Sequence, residues 1–315
     1  MSSYVLRRLG ALVPVWLLIT LFAFGLANLA PGDPAELILR RQTGEVPTPE
    51  AVALLRAELG LDDPVPLRYA RWLGNALQGD LGTSYRTGSP VAADLSARFR
   101  VTLELAVPAF LLALAIAVPV GVIAAVRRNS LVDHTTRLGA LVASSMPGYW
   151  LGYMLILALA VGWQVFPVAG RGGWRHLALP ALTLALGAAA SLTRLTRASL
   201  LDVLAEDYVR TARAKGSREG RVVWRHALRN GMIPVVTLLG IGFGHLLAGA
   251  AIVETVFAWP GLGKHVVDSI YDRDYPTIQG FVLFTGTVFV LLNLAVDLLY
   301  ARLDPRVRLG GRARA

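Results

Sequence analysis

Charged and uncharged positions fall along this chain in long blocks. Residues 9–32, 105–126, 138–170, 177–193, 231–253 and 275–296 contain no Asp, Glu, Lys or Arg. A helix rises about 1.5 Å per residue and the hydrocarbon core of a bilayer is about 30 Å thick, so roughly 20 apolar residues cross it. The pattern predicts an all-α membrane protein of six transmembrane helices. The third block is long enough for a span and the loop behind it, and the fourth, the shortest, starts just after His176. Pro108, Pro119 and the pair Met146-Pro147 fall within the second and third blocks and predict kinks there, which would suit a bundle that rocks between two states.

The polar segments between these blocks have patterns of their own. Segment 31–104 is the one sizeable soluble stretch. In it Thr48-Pro49-Glu50 reads as N-cap, Pro at the first helical position and an acid near the positive dipole end, with Gly60 as the stop. A second helix is predicted where Leu67, Ala70, Leu73 and Leu77 recur at helical spacing, with Arg68, Arg71 and Asn75 off that stripe. Its apolar face, with Trp72, is expected on the membrane surface or on neighbouring helices. Either a structural cap over the bundle or a docking surface fits this pattern.

Segment 194–230 is the most basic part of the chain. Leu200, Val203, Leu204, Tyr208 and Ala212 keep a spacing of three to four, which predicts that the fourth span continues into an amphipathic helix. Gly216 stops it. Ser217 is then a candidate N-cap with Glu219 close behind, and Val222, Val223, His226 and Ala227 give the next helix an apolar side. Pro234 marks the start of the fifth span. Three roles compete for two short helices around a glycine turn. A solvated loop explains the arginines but not the apolar stripes. A DNA-reading helix-turn-helix has similar spacing, but tethering between two spans leaves it little freedom to enter a groove. A mechanical connector, gripped by a soluble partner that moves the spans, explains both features.

Charge then fixes an orientation. With an inside N-terminus, 19 of the 31 Lys and Arg fall on segments 1–8, 127–137, 194–230 and 297–315, and most of the others sit in the long segment 33–104. Long loops cross membranes largely regardless of charge, so the short loops decide, and both termini are expected on the cytoplasmic face. The net charge of +10 is thereby a topology signal that needs no nucleic acid. A mean hydropathy of +0.54 and 55% hydrophobic residues agree with a membrane as solvent. The chain has no cysteine, which excludes disulfides and thiolate metal sites. Arg7 and Arg8 with Gly25 and Ala27 resemble a signal peptide, but the apolar run is longer than the 7–15 residues of a typical h-region.

Little enzymatic chemistry finds footing. A P-loop needs GxxxxGK[ST], whereas "GLGKH" at 261–265 has Ala258 at the first Gly and His265 at the hydroxyl. "GIGFGH" at 240–245 misses GxGxxG because His245 takes the last position. HExxH, GxSxG and paired intramembrane acids are all missing from the sequence. His245 is the one intramembrane imidazole and either lines a substrate path or packs between helices. Gly240, Gly242, Gly244, Ala248 and Gly249 allow close helix approach or leave room for a solute, and Met146 is a further candidate lining residue. An ion-coupled secondary transporter is the rival class, although it would be expected to place more carboxylates at midplane.

At this point the residues carry a resemblance. "DYVRTARAKG", "RHALRN" and Pro234, within 207–234, resemble the cytoplasmic loop of permease subunits in ATP-binding-cassette importers of the dipeptide, oligopeptide and nickel class. "LAPGDPA" at 29–35, "LGLDDPVPLRY" at 59–69, "GDLGTSY" at 79–85, "SMPGYW" at 145–150, "VETVFAWPGLG" at 253–263 and "LDPRVR" at 303–308 follow in the same order. The general importer signature has Glu-Ala-Ala and then Gly; here Arg210, Thr211, Ala212 and Gly216 stand at those places. The resemblance implies a single transmembrane permease domain over 1–315 that binds no cofactor or metal of its own. It implies a homologous second permease subunit, two cytoplasmic ATP-binding subunits and an external solute-binding protein. Arg210, Thr211, Ala212, Gly216 and positions from Ser217 to Asn230 would contact an ATPase, with His226 among them and Arg225 and Arg229 facing its acids. The implied solutes are di- and oligopeptides first. Nickel or a metal chelate is the alternative, toward which "AGRGGWRHLALPA" at 169–181 and "RDYPTIQ" at 273–279 lean.

Overall fold

A computed structural model describes residues 2–29 and 32–303, so the "LDPRVR" stretch beyond Leu303 and residues 30 and 31 lie outside the described residues. The helices, in order, are α1 Ser2–Leu29, α2 Pro34–Thr43, α3 Pro49–Glu58, α4 Val65–Leu77, α5 Val91–Val126, α6 Leu131–Ser145 and α7 Gly148–Leu155. They continue with α8 Trp174–Leu204, α9 Asp207–Ala214, α10 Glu219–Arg221, α11 Leu228–Val256, α12 Leu262–Tyr271 and α13 Tyr275–Leu303. Wider π-type turns extend α7 over Ile156–Gly162 and join α10 to α11 over Val222–Ala227. Among the described residues each uncharged block lies mainly on helix, with 163–170 as loop at the end of the third. Among the described residues Val91–Val126, Trp174–Leu204 and Tyr275–Val296 are long and apolar enough to cross a membrane, and shorter apolar stretches, Leu12–Leu26 and Gly242–Val256, lie within α1 and α11.

The third block departs from expectation. Instead of one kinked span, α6 and α7 with its extension meet at 105°. Pro147 has no N–H to donate and forces its predecessor out of the helical region, and Met146 accordingly sits at φ −80°, ψ 129°. α6 also begins seven residues ahead of the uncharged block. Ser130 caps it by accepting from the Asp133 amide, and the buried Asp133 carboxylate takes a two-pronged bond from Arg197 of α8 at 2.5 and 2.7 Å.

The described residues form two compact units, one within residues 2–100 and 265–298 and the other within residues 101–264 and 299–303. In the first, Thr48 caps α3 by accepting from the Ala51 amide, and Gly60 follows the helix at φ +63°. α4 lies on α1: Tyr69 shares a 2.8 Å hydrogen bond with Thr20, and Trp72 packs against Phe24. Tyr69 and Trp72 thus meet a neighbouring helix, whereas Leu67, Ala70 and Leu77 of the expected apolar stripe are exposed. Asp274 organises the loop 82–90. Its buried carboxylate accepts from Ser84 Oγ at 2.5 Å, the Tyr85 amide at 2.9 Å and Thr277 Oγ1 at 2.8 Å.

In the second unit α8 is the central helix, packed by α6, α7 and α11 and, through Ala113, Ala117 and Gly121, by α5. Lipid tails are as apolar as leucine, so close van der Waals fit holds such helices together more than burial from water does. Small residues permit it. A Cβ at Gly121 would stand 2.7 Å from the Thr196 Cβ, and one at Gly231 would stand 3.3 Å from Leu200. Leu105, Leu179, Leu246, Val253 and Phe257 fill the core between these helices. At the far end of α11, fully buried Glu254 accepts from Thr102 Oγ1 at 2.6 Å, from the Lys264 amide at 3.0 Å and from the Gly263 amide. The carboxylate thus satisfies first-turn donors of α12 that have no partner inside their own helix.

Candidate coupling site

Residues 205–230 form a compact hairpin of helices in the second unit. The fourth span does not run on to Ala212. α8 ends at Leu204, the amides of Ala205 and Glu206 tighten onto the carbonyls of Asp202 and Val203, and Glu206 adopts an extended backbone before α9 restarts. Asp207 then sits in the first turn of α9, where the positive end of the helix dipole favours a carboxylate.

Gly216 makes the turn as predicted. Its φ of +78° is a left-handed conformation that costs a side-chain-bearing residue about 1–2 kcal/mol. The Gly216 amide donates to Arg213 O at 2.9 Å and the Ser217 amide to Ala212 O at 3.2 Å. This pair of bonds closes the helix end and fixes the direction of the outgoing chain. Ser217 is not the next N-cap. Arg218 holds that position without a side-chain bond, since a guanidinium has no acceptor to offer, and Glu219 is engaged by Arg213. The Arg213 guanidinium holds the Glu219 carboxyl below its ordinary range, and the same pair staples α9 to α10 across the turn.

The inner face of the hairpin is anchored. Val209, Val222, Val223 and Ala227 are buried, and Val223 and Ala227 join Val122 and Ala125 of α5 and Leu200 of α8 in one apolar cluster. Asn230 donates to Tyr208 Oη at 2.8 Å, tying the exit of the hairpin to its entry. His226 is half-buried on this side. The outer face is open and basic. Arg210, Thr211, Arg225, Arg229 and Asn230 are exposed, while Ala212 and Ser217 are half-buried. Lys215, Arg218, Arg221, Arg225 and Arg229 form no ion pair with the described residues. Trp224, 60% exposed, stands among them. It escaped the sequence reading because it breaks the apolar stripe instead of belonging to it.

Of the four pathway candidates, Gly244, His245 and Gly249 lie on α11 and Met146 lies at the α6–α7 break. His245 is exposed on α11 and Met146 half-buried at the α6–α7 break. Gly244 is buried and Gly249 lies 4.0 Å, measured from an added Cβ, from Leu184 of α8. Among the described residues no group of His, Asp and Glu could hold a metal ion.

The wider comparison agrees with this architecture. Residues 117–309 match the binding-protein-dependent transport system inner membrane component family, and residues 1–106 match the N-terminal family of the same membrane components. The dipeptide transport system permease protein DppB of Escherichia coli K12 is 43% identical, over 98% of this chain and 99% of its own. The glutathione transport system permease protein GsiC of Salmonella typhimurium LT2 is 44% identical, over 98% and 99%. Among solved structures, the inward-facing MetNI methionine ABC transporter aligns with a TM-score of 0.57 at 21% identity, over 67% of this chain and 97% of that one. An amino acid ABC transporter with histidines aligns at 0.52 and 17%, over 67% and 94%. At these identities the likeness is one of fold.

Proposed function

The chain belongs to the binding-protein-dependent transport system inner membrane components, the permease subunits of ATP-driven importers, and from that premise we propose that it carries di- and oligopeptides. It is a multi-pass inner membrane protein and not itself an enzyme. Such systems combine a second permease, ATP-binding subunits and a substrate-binding protein. Here the second permease is a homologue of this chain, two ATPases sit on the cytoplasmic side, and both termini lie on that side with them. The domain is one transmembrane unit over 1–315, with 31–104 outside. Relatives named for dipeptide and glutathione transport, each aligned over nearly its whole length, support the substrate class.

The observation that carries the mechanism is the two-faced hairpin. Its inner face is fixed to α5 and α8 by apolar packing, and its outer face offers Arg218, Arg221, Arg225 and Arg229, without ion pairs among the described residues, and an exposed indole. A groove on an ATPase lined by acids and apolar walls would complement that face. Arg210, Thr211, Ala212, Ser217, Arg225, His226, Arg229 and Asn230 form or support the contact, and Gly216 gives it shape. When ATP draws the two ATPases together, the hairpin moves with its groove and the anchored spans rearrange. The test is uptake of labelled di- and tripeptides in cells lacking this chain, with and without the gene restored. Restored, ATP-dependent uptake is the expected result. Restored uptake of another solute alone would overturn the substrate, and uptake driven by an ion gradient without ATP would overturn the mechanism.

A further inference from the structure

A helix surrounded by other helices yet bare of apolar surface on its one open side is poorly suited to face lipid. α8 is such a helix. Beyond its first turn its exposed positions are Gly187, Ser191, Arg194, Ala198 and Asp202, spaced by three or four residues and therefore on one face. From residue 175 to its end no large apolar side chain is exposed. Its neighbours in the same unit differ. α5 exposes Val107, Leu111 and Ile123, and α11 exposes Leu238 and Ile252, as lipid-facing surfaces do. Within the span its exposed positions, Gly187 and Ser191, offer lipid tails no large apolar side chain, and Arg194 follows at the cytoplasmic end, so the open face of α8 fits water or protein better than lipid tails.

Arg194 has a built-in comparison three residues away. Arg197 is neutralised by Asp133 in a two-pronged bond, whereas Arg194 has no partner among the described residues. At about 1.5 Å per residue Arg194 stands about 30 Å along the helix from Trp174, one bilayer core away, with Ser191 on the same side one turn earlier.

Resting on the peptide-importer reading, we propose that this stripe of α8 lines the solute pathway and that Arg194 binds the C-terminal carboxylate of the passing peptide. A guanidinium fork matches a carboxylate with two parallel hydrogen bonds, and the free fork of Arg194 is spared the competition that occupies Arg197. Ser191 adds a hydroxyl on the approach. Arg194 is in this account a specificity-determining residue, and amidated peptides are the disfavoured substrates.

The absence of cysteine from the chain makes the stripe directly testable. In the complete importer reconstituted into vesicles with its binding protein and ATPases, Gly187→Cys and Ser191→Cys should react with a charged, membrane-impermeant thiol reagent, and a free tripeptide in excess should slow the reaction at Ser191→Cys. Leu111→Cys, on the lipid-facing side of α5, should stay unreactive. Thiols at 187 and 191 that react no faster than at 111 would place the stripe against the second subunit and overturn the proposal. In uptake, Arg194→Gln should raise KM at least ten-fold for tripeptides with a free carboxylate and leave C-terminally amidated ones unchanged, with Arg194→Lys between. An equal change for both peptides, or none, would overturn the carboxylate assignment while peptide uptake by the wild type upheld the underlying function. A wild type that moves neither peptide would overturn both together.

Discussion

Glu254→Ala removes the acceptor on which the α11–α12 junction depends. Three donors converge on that carboxylate: Thr102 Oγ1 at 2.6 Å, the Lys264 amide at 3.0 Å and the Gly263 amide. The site is closed, since a Cβ on Gly261 would already overlap the Glu254 carboxylate. Each donor left without a partner in a buried site costs about 1–3 kcal/mol. The desolvation cost of the carboxylate is recovered at the same time and offsets part of this loss. A net destabilisation of about 3 kcal/mol follows for three donors. At about 2–4 °C per kcal/mol, the melting temperature should fall by about 6–12 °C. Thermal unfolding of the purified importer in detergent, followed by helical circular dichroism, measures it. Glu254→Gln keeps one acceptor oxygen but turns an amide NH2 toward the remaining donors, so it should fall between wild type and Glu254→Ala. Unchanged melting of Glu254→Ala would refute the account and mean that α12 keeps its position by side-chain packing alone.

Gly216→Ala should cost about 1–2 kcal/mol locally, because a Cβ opposes the left-handed turn, and should weaken co-purification of the ATPases while the chain still inserts. Charge reversal at exposed Arg225, Arg225→Glu, should lower ATPase affinity without altering the melting of the isolated subunit; unchanged affinity would remove Arg225 from the contact. Gly263→Ala brings a Cβ to 2.3 Å from the Ala251 Cα and should reduce folded yield severely, whereas Gly74→Ala meets open space on α4 and should stabilise by about 0.5–1 kcal/mol. His265 is buried with Nε2 unpartnered, and burial foremost, with Arg98 nearby, holds its pKa below 6.5. The unfolded chain therefore binds the proton first, so stability should fall as pH drops below about 6.5, and His265→Gln should flatten melting temperature measured between pH 8 and 5.5.

The sequence displays some of this architecture openly and conceals the rest for physical reasons. Uncharged blocks locate the helices because lipid tolerates few charges, and Thr48, Gly60 and Gly216 are legible because caps and left-handed turns admit few residue types. The break at Met146-Pro147 looked like a kink, since a proline alone does not say how far two helix segments diverge. The interruption at Ala205–Glu206 left no mark at all: both residues are compatible with helix, and the apolar spacing continues across it. Ser217 has the side chain of a cap, but the helix starts one residue later, after Arg218, and Glu219 pairs with Arg213 instead. Of the site, arginines were readable as charges, but which of them are free depends on tertiary partners such as Asp133 and Glu219. The open face of α8 was hidden for the same reason, because one-letter patterns do not reveal which side of a helix is covered.

The two arms of the coupling hairpin are mechanically unequal. From Glu219 the helix runs through the π-type turns into α11 and on to Val256 without interruption, a rod of about 57 Å at about 1.5 Å per residue. On the other side the chain is cut at Ala205–Glu206 before α8 begins. A torque applied at the hairpin therefore reaches α11 as through a crank, turning His245 about the helix axis, but reaches α8 through a joint that passes displacement and little twist. One stroke of the ATPases would swivel one wall of the bundle while merely tugging the other.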